Sequence, residues 1–141
     1  MRRVSYIILI SLIAVLTGLI QAGDHTYIRD GRHSYGTILA NLDNKSVKSG
    51  KYSYGDVVVN IDGNKIKEGK YSYGDVIANI DGKYIKEGKY SYGDVIANID
   101  DNFIKEGKYS YGTILFNIDG YASDIEKGAL TVAALRLSGR L

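Results

Sequence analysis

A unit of 19 residues runs five times in succession through this chain, from Thr26 to Gly120. The copies are TYIRDGRHSYGTILANLDN (Thr26 to Asn44), KSVKSGKYSYGDVVVNIDG (Lys45 to Gly63), NKIKEGKYSYGDVIANIDG (Asn64 to Gly82), KYIKEGKYSYGDVIANIDD (Lys83 to Asp101) and NFIKEGKYSYGTILFNIDG (Asn102 to Gly120). Units this alike must occupy near-identical environments, and a fixed period of this length marks a repeat architecture. Repetition also weighs against catalysis. An active site needs an asymmetric set of groups with different pKa values, whereas five equal units offer five equal surfaces.

Within the fourth unit, Val95 to Ile99 is β-branched and lies between Gly93-Asp94 and Asp100-Asp101, the pattern of a short strand between turns. In the third unit the same strand ends at Asp81-Gly82. Glycine there accepts the positive φ of a two-residue hairpin turn. The chain returns through Lys83 to Glu87, passes Gly88 and continues through Lys89, Tyr90, Ser91 and Tyr92. Each unit thus supplies about two strands, and five units about ten. Side-chain alternation puts Val76, Ala78 and Ile80 on one face, expected to be the core, and Ile77, Asn79 and Asp81 on the other. The middle core position is small in Ala78 and Ala97 and larger in Val59 and Phe116, as expected where strands converge on something crowded. Tyr90 and Tyr92 share a face if the strand extends through Gly88, and a bulge there would change the parity.

The C-terminal segment is different in kind. Ser123 with Glu126 three residues later forms a capping box, and Gly139 supplies a stop. Between them Ile125, Ala129, Leu130, Val132, Ala133, Ala134, Leu135 and Leu137 are apolar nearly all round, which is the composition of a buried helix. The expected fold is therefore an all-β repeat protein, a closed shallow ring or barrel of five β-hairpin units around a buried C-terminal α-helix. Closure removes exposed strand edges. An open solenoid would carry polar, atypical end repeats, and neither end unit looks like one.

Residues 1–22 read as a secretory signal peptide: Arg2 and Arg3, an apolar run from Tyr6 to Ile20, then Gln21-Ala22 before Gly23. As a helix the run spans only about 22 Å against about 30 Å of hydrocarbon, so cleavage after Ala22 is expected over retention. The alternative is membrane association through an uncleaved anchor at residues 6–20. The expected organisation is thus a signal helix at 1–22, the repeats at 23–120 and the apolar helix at 121–141 in the same domain. The sequence holds 18 Lys and Arg against 16 Asp and Glu, and Arg2 and Arg3 account for the excess. A neutral mature chain lacks the basic field that nucleic-acid binding requires. There is no cysteine, so packing and strand pairing alone stabilise the fold.

Two recurrent sets carry candidate chemistry. Asn41, Asn60, Asn79, Asn98 and Asn117, each two residues before Asp43, Asp62, Asp81, Asp100 and Asp119, are oxygen-rich, as calcium loops are. They lack the further acids and the bidentate glutamate of such loops, and turn chemistry accounts for them, so no metal is assigned. Tyr52, Tyr54, Tyr71, Tyr73, Tyr90, Tyr92, Tyr109 and Tyr111, with His33 and Tyr35 in the first unit, could form an aromatic girdle. Such a girdle suits sugar stacking or a membrane interface, and cross-strand packing is the alternative role for the same rings.

The element G-K-Y-S-Y-G-D-V-I-A-N-I-D-G-x-x-I-K-E, at Gly69 to Glu87 and again, with Asp101 in place of the third glycine, at Gly88 to Glu106, resembles the bacterial beta-flower proteins. In that family hairpin petals surround an axis, and the commonly described member is four-fold, against five units here. The resemblance implies a shallow symmetric barrel, similar in some respects to tubby-type barrels that wrap a central helix. It implies no activity, and no catalytic or cofactor-binding residue is transferred. The expected role is an exported, non-enzymatic structural or interaction module of the cell envelope with no cofactor. The alternative is a carbohydrate or cell-wall binding module that uses the tyrosine girdle.

Overall fold

In the computed structural model, which describes residues 25–141, ten antiparallel strands close into a barrel. The strands are β1 (Thr26–Asp30), β2 (Ile38–Asp43), β3 (Ser46–Ser49), β4 (Val57–Asp62), β5 (Lys65–Glu68), β6 (Val76–Asp81), β7 (Tyr84–Glu87), β8 (Val95–Asp100), β9 (Phe103–Glu106) and β10 (Ile114–Asp119). Each pairs with its sequence neighbours, and β1 closes on β10 with Ile28 opposite Ile118. Every unit gives one four- or five-residue strand and one six-residue strand, as the repeat predicts. The expected signal segment and its expected cleavage site lie outside the described residues.

The two connections in each unit have different chemistry. At one end, long and short strands are joined by two residues, as in Asp81 opposite Tyr84. The first of the two is left-handed: Gly63 and Gly82 at φ 64° and 61°, Asn44 and Asp101 at 60° and 57°. Asparagine and aspartate are the residues that replace glycine there at least cost. At the other end, seven-residue loops at 31–37, 50–56, 69–75, 88–94 and 107–113, here petals 1 to 5, join short strands to long ones. Both petal glycines are required. Gly88 sits at φ +77°, and a Cβ on Gly93 would lie 2.2 Å from the Glu87 carbonyl oxygen. The left-handed turn at Gly88 ends β7 at Glu87, so Tyr90 and Tyr92 ride on a turn and not on the extended strand considered above.

Inside the barrel stand rings of apolar side chains. One comprises Ile28, Val47, Ile66, Ile85 and Ile104 from the short strands, and the next comprises Ala40, Val59, Ala78, Ala97 and Phe116 from the long ones, all fully buried. The expected alternation holds for Ala78 and Ile80 and fails for Val76. Opposite Ile66 and Lys67 the partners are Ala78 and Val76, so Ile77 is an extra residue. This bulge repeats in every unit and turns Leu39, Val58, Ile77, Ile96 and Leu115 toward the core in place of the residue before each.

The helix α1 (Asp124–Leu137) passes through the centre. Its capping box forms as the sequence indicates: the Ser123 hydroxyl accepts from the Glu126 N–H, and the Glu126 carboxylate accepts from the Ser123 N–H. Residues Gly128 to Leu135 are buried on every side of the helix, which only an enclosing wall can do. Thr131 satisfies its hydroxyl within α1, donating to the Lys127 carbonyl. The helix runs nearer β1 to β4 than β7 to β10. Gly128 is the point where it meets β6, since a Cβ there would lie 2.3 Å from Ile80 Cδ1.

Candidate binding surface

The outward side chains of each hairpin fold its neighbouring petal back over the barrel wall. Asn79 and Lys86 face each other across β6 and β7. Asn79 Nδ2 donates to the carbonyls of Gly88 and Tyr90, both at 2.9 Å, and Lys86 Nζ donates to the Ser91 carbonyl at 2.6 Å and to Asp81 at 2.8 Å. The same pattern holds for Asn60 with Lys67 and for Asn98 with Lys105. It also closes the ring: Asn117 donates to Gly31 and His33, and Arg29 pairs with Asp119 while donating to the Gly36 carbonyl. The asparagines thus present amide nitrogens to petal carbonyls, and the aspartates pair with lysine or arginine. Among the described residues no group of three or more His, Asp or Glu converges as a metal site. Lysine beside Asp62 and Asp100 holds both carboxyls below the ordinary 3.8, first through the hydrogen bonds from Lys67 and Lys105 and then through their charge.

Pinned this way, each petal displays its tyrosines as a stacked pair. Tyr52–Tyr54, Tyr71–Tyr73 and Tyr90–Tyr92 have ring centroids 5.0 Å apart and planes within 7° of parallel, and Tyr109–Tyr111 lie at 5.1 Å. His33 and Tyr35 repeat the motif in petal 1 at 4.8 Å. The outer ring of each tyrosine pair is 81–82% exposed and the inner about half. Lys51, Lys70, Lys89 and Lys108 place their ammonium groups 5.1 to 5.3 Å from the inner ring centroids. The girdle of sequence candidates is therefore assembled around the barrel, on loops and not in the cross-strand packing that was the alternative.

One groove joins a repeated tyrosine pair to residues that the repeat pattern does not single out, His25 and Tyr27. A cleft of about 380 Å³ lies between petal 2 and the outer face of β1 and β2, bounded by His25, Tyr27, Ile38, Lys51, Tyr52 and Tyr54. Tyr27 lies at the position within the unit that varies most in side-chain type, so periodicity hides it. Its place in the cleft follows only from the register that sets it beside Asn41.

No curated protein and no solved structure matches the chain. A family match spans residues 28–140 and carries the description "6-fold beta flower protein". The beta-flower resemblance of the repeat is thus upheld with a different symmetry number, six in the description against five hairpins in this barrel. Such a small repeat fold is not a typical enzyme fold. With closed hairpins, folded-back petals and most of the described residues inside the match, the chain belongs to the 6-fold beta flower family.

Proposed function

We propose that this protein is an exported, non-enzymatic interaction module of the cell envelope whose contact surface is the ring of tyrosine petals. The observation that carries this reading is the outer ring of each tyrosine pair, four-fifths exposed although it is a large amphipathic group. Tyrosine gives large contact area with few rotatable bonds, and rings carried on petals already pinned by side-chain hydrogen bonds to their carbonyls bind at low entropic cost. Five like sites on one rigid barrel raise avidity for any partner that repeats along a surface. Export rests on the Arg2-Arg3, apolar-run and Gln21-Ala22-Gly23 order.

A carbohydrate or cell-wall ligand is the second reading, favoured by the flat, open faces of Tyr54, Tyr73, Tyr92 and Tyr111 next to lysine and serine. One experiment addresses the surface. Purified mature protein is incubated with envelope fragments, sedimented, and compared with a variant carrying alanine at Tyr54, Tyr73, Tyr92 and Tyr111. Retention of the wild type with loss in the variant supports the reading. Equal retention of both would refute the girdle as the contact surface.

A further inference from the structure

The five petals are not equivalent in what lies beneath them. Each petal is fixed by one asparagine, and that asparagine has one outward cross-strand neighbour on the preceding strand. For petal 2 the neighbour of Asn41 is Tyr27, for petal 1 the neighbour of Asn117 is Phe103, and for petal 5 the neighbour of Asn98 is Tyr84. For petals 3 and 4 the same place holds Ser46 and Lys65. Because β1 closes on β10, petals 5, 1 and 2 are consecutive around the ring. An aromatic floor therefore runs under three adjacent petals and stops.

A second asymmetry covers two of these three petals. Petals 2, 3 and 4 end in Asp56, Asp75 and Asp94, whereas petals 1 and 5 end in Thr37 and Thr113. Petal 1 also carries Arg32 where the others carry lysine. The arc over petals 5 and 1 is thus the least acidic part of the girdle.

Developing the carbohydrate reading above, on which this inference rests, we propose that petals 5, 1 and 2 form a row of subsites for a glycan strand with acidic sugars, beginning in the Tyr27 cleft. The cleft has the size of a small-molecule site, about 300–1,000 Å³. Two stacked pairs bound it, His25–Tyr27 at 6.1 Å and 8° and Tyr52–Tyr54 at 5.0 Å and 7°. A pyranose ring between them meets an aromatic face with its C–H surface and keeps its hydroxyls toward Ser53, His25 and water. No carboxylate lines the cleft, and the Lys51 ammonium gives a sugar carboxylate a charge-assisted partner. Successive petals are two strands apart, about 10 Å along the sheet, which is the scale of two linked sugars.

The test is calorimetric titration of the mature chain with glycan strands of alternating N-acetylglucosamine and N-acetylmuramic acid, stripped of peptide. The expected result is binding that weakens at least tenfold in Tyr27→Ala and in Tyr54→Ala, and severalfold in Phe103→Ala and Tyr84→Ala. Tyr73→Ala and Tyr92→Ala, on petals 3 and 4, should change it less than twofold, and carboxyl-reduced strands should bind more weakly. Tyr54 is 81% exposed, so that variant keeps its fold if Tyr27→Ala does not. Absence of binding to the wild type, equal losses from petals 3 and 4, or tighter binding of single-stranded oligothymidine would each overturn the proposal. The girdle reading stands or falls separately, on sedimentation with whole envelope fragments.

Discussion

Replacing Gly128 with alanine sets two opposed effects against each other, and the structure decides the sign. In an exposed helix interior the change gains about 1 kcal/mol from propensity alone. Gly128 is not exposed. A Cβ there would stand 2.3 Å from Ile80 Cδ1 and 2.8 Å from its Cγ1, where carbon atoms at rest are about 3.5–4.0 Å apart. The Ile80 terminus, itself 3% exposed, would have to retreat by more than 1 Å into a packed wall. Overpacking of this kind costs about 1–3 kcal/mol, so the net expectation is a loss of zero to about 2 kcal/mol and a fall in Tm of several degrees. Chemical denaturation with circular-dichroism detection measures it. The companion change Ile80→Val removes the nearest atom and alone costs about 0.5–1.5 kcal/mol. In the double variant the two losses should sum to less than their separate values by at least 0.5 kcal/mol, as contacting sites do. A Gly128→Ala variant stabilised by the full propensity gain and additive with Ile80→Val would show that α1 is not seated against β6.

Gly93→Ala meets the Glu87 backbone oxygen and not a side-chain end, so about 1–3 kcal/mol should be lost with no single-site rescue on a neighbouring side chain. Leu130→Ala, at a fully buried position of the axial helix, should cost about 2–5 kcal/mol, read as a fall in denaturant midpoint at constant slope. Asn79→Ala removes the two amide hydrogen bonds to petal 4, leaving the one from Lys86, and should speed amide exchange in residues 88–93 while leaving the β-strand amides of the opposite wall protected. Because the folded carboxyls of Asp62 and Asp100 lie below their unfolded value, their stabilising contribution is present above about pH 4 and is lost as pH falls through the lowered folded values. Carboxyl NMR titration should show Asp62 returning toward 3.8 in Lys67→Met, and an unchanged midpoint there would refute the lysine as cause.

The sequence makes legible whatever is repeated or locally coded. Ten strands, ring closure, the capping box at Ser123 and an axial helix all follow from period, turn residues and an apolar segment too hydrophobic to lie on a surface. The bulge at Ile77 is not coded that way, because Val76 and Ile77 are both β-branched and either can face a core. Only the pairing of Ala78 and Val76 with successive residues of β5 tells them apart. The folding back of the petals is half legible. Two glycines per petal signal a tight turn, but the direction of that turn depends on Asn79 and Lys86 meeting its carbonyls from the next-door strands. The tyrosines were visible as a set for the simple reason that they recur. Tyr27, Tyr84 and Phe103 were not, since each occupies a position held elsewhere by Ser46 and Lys65, and their alignment appears only with the register of the closed barrel.

A helix cannot share the five-fold symmetry of the wall that surrounds it, so some of the repeat's irregularities are demanded by packing. Alanine at positions 40, 78 and 97 gives way to Val59 and Phe116 within one ring, and the bulky Phe116 sits on β10, on the side from which α1 leans away. The Arg140 guanidinium lies 5.7 Å from its ring centroid, closing that side from the helix end, and Arg136 pairs with Glu68 on β5. Outer-face irregularities have no such cause. Tyr27, Tyr84 and Phe103 do not touch the helix, and Ser46 and Lys65 hold the same β geometry in their place. Helix packing therefore does not account for the aromatic side chains on one arc of the outside, and the proposed glycan contact does. This separates the two kinds of departure from symmetry: those facing inward should be read out as changes in stability when they are made uniform, and those facing outward as changes in binding.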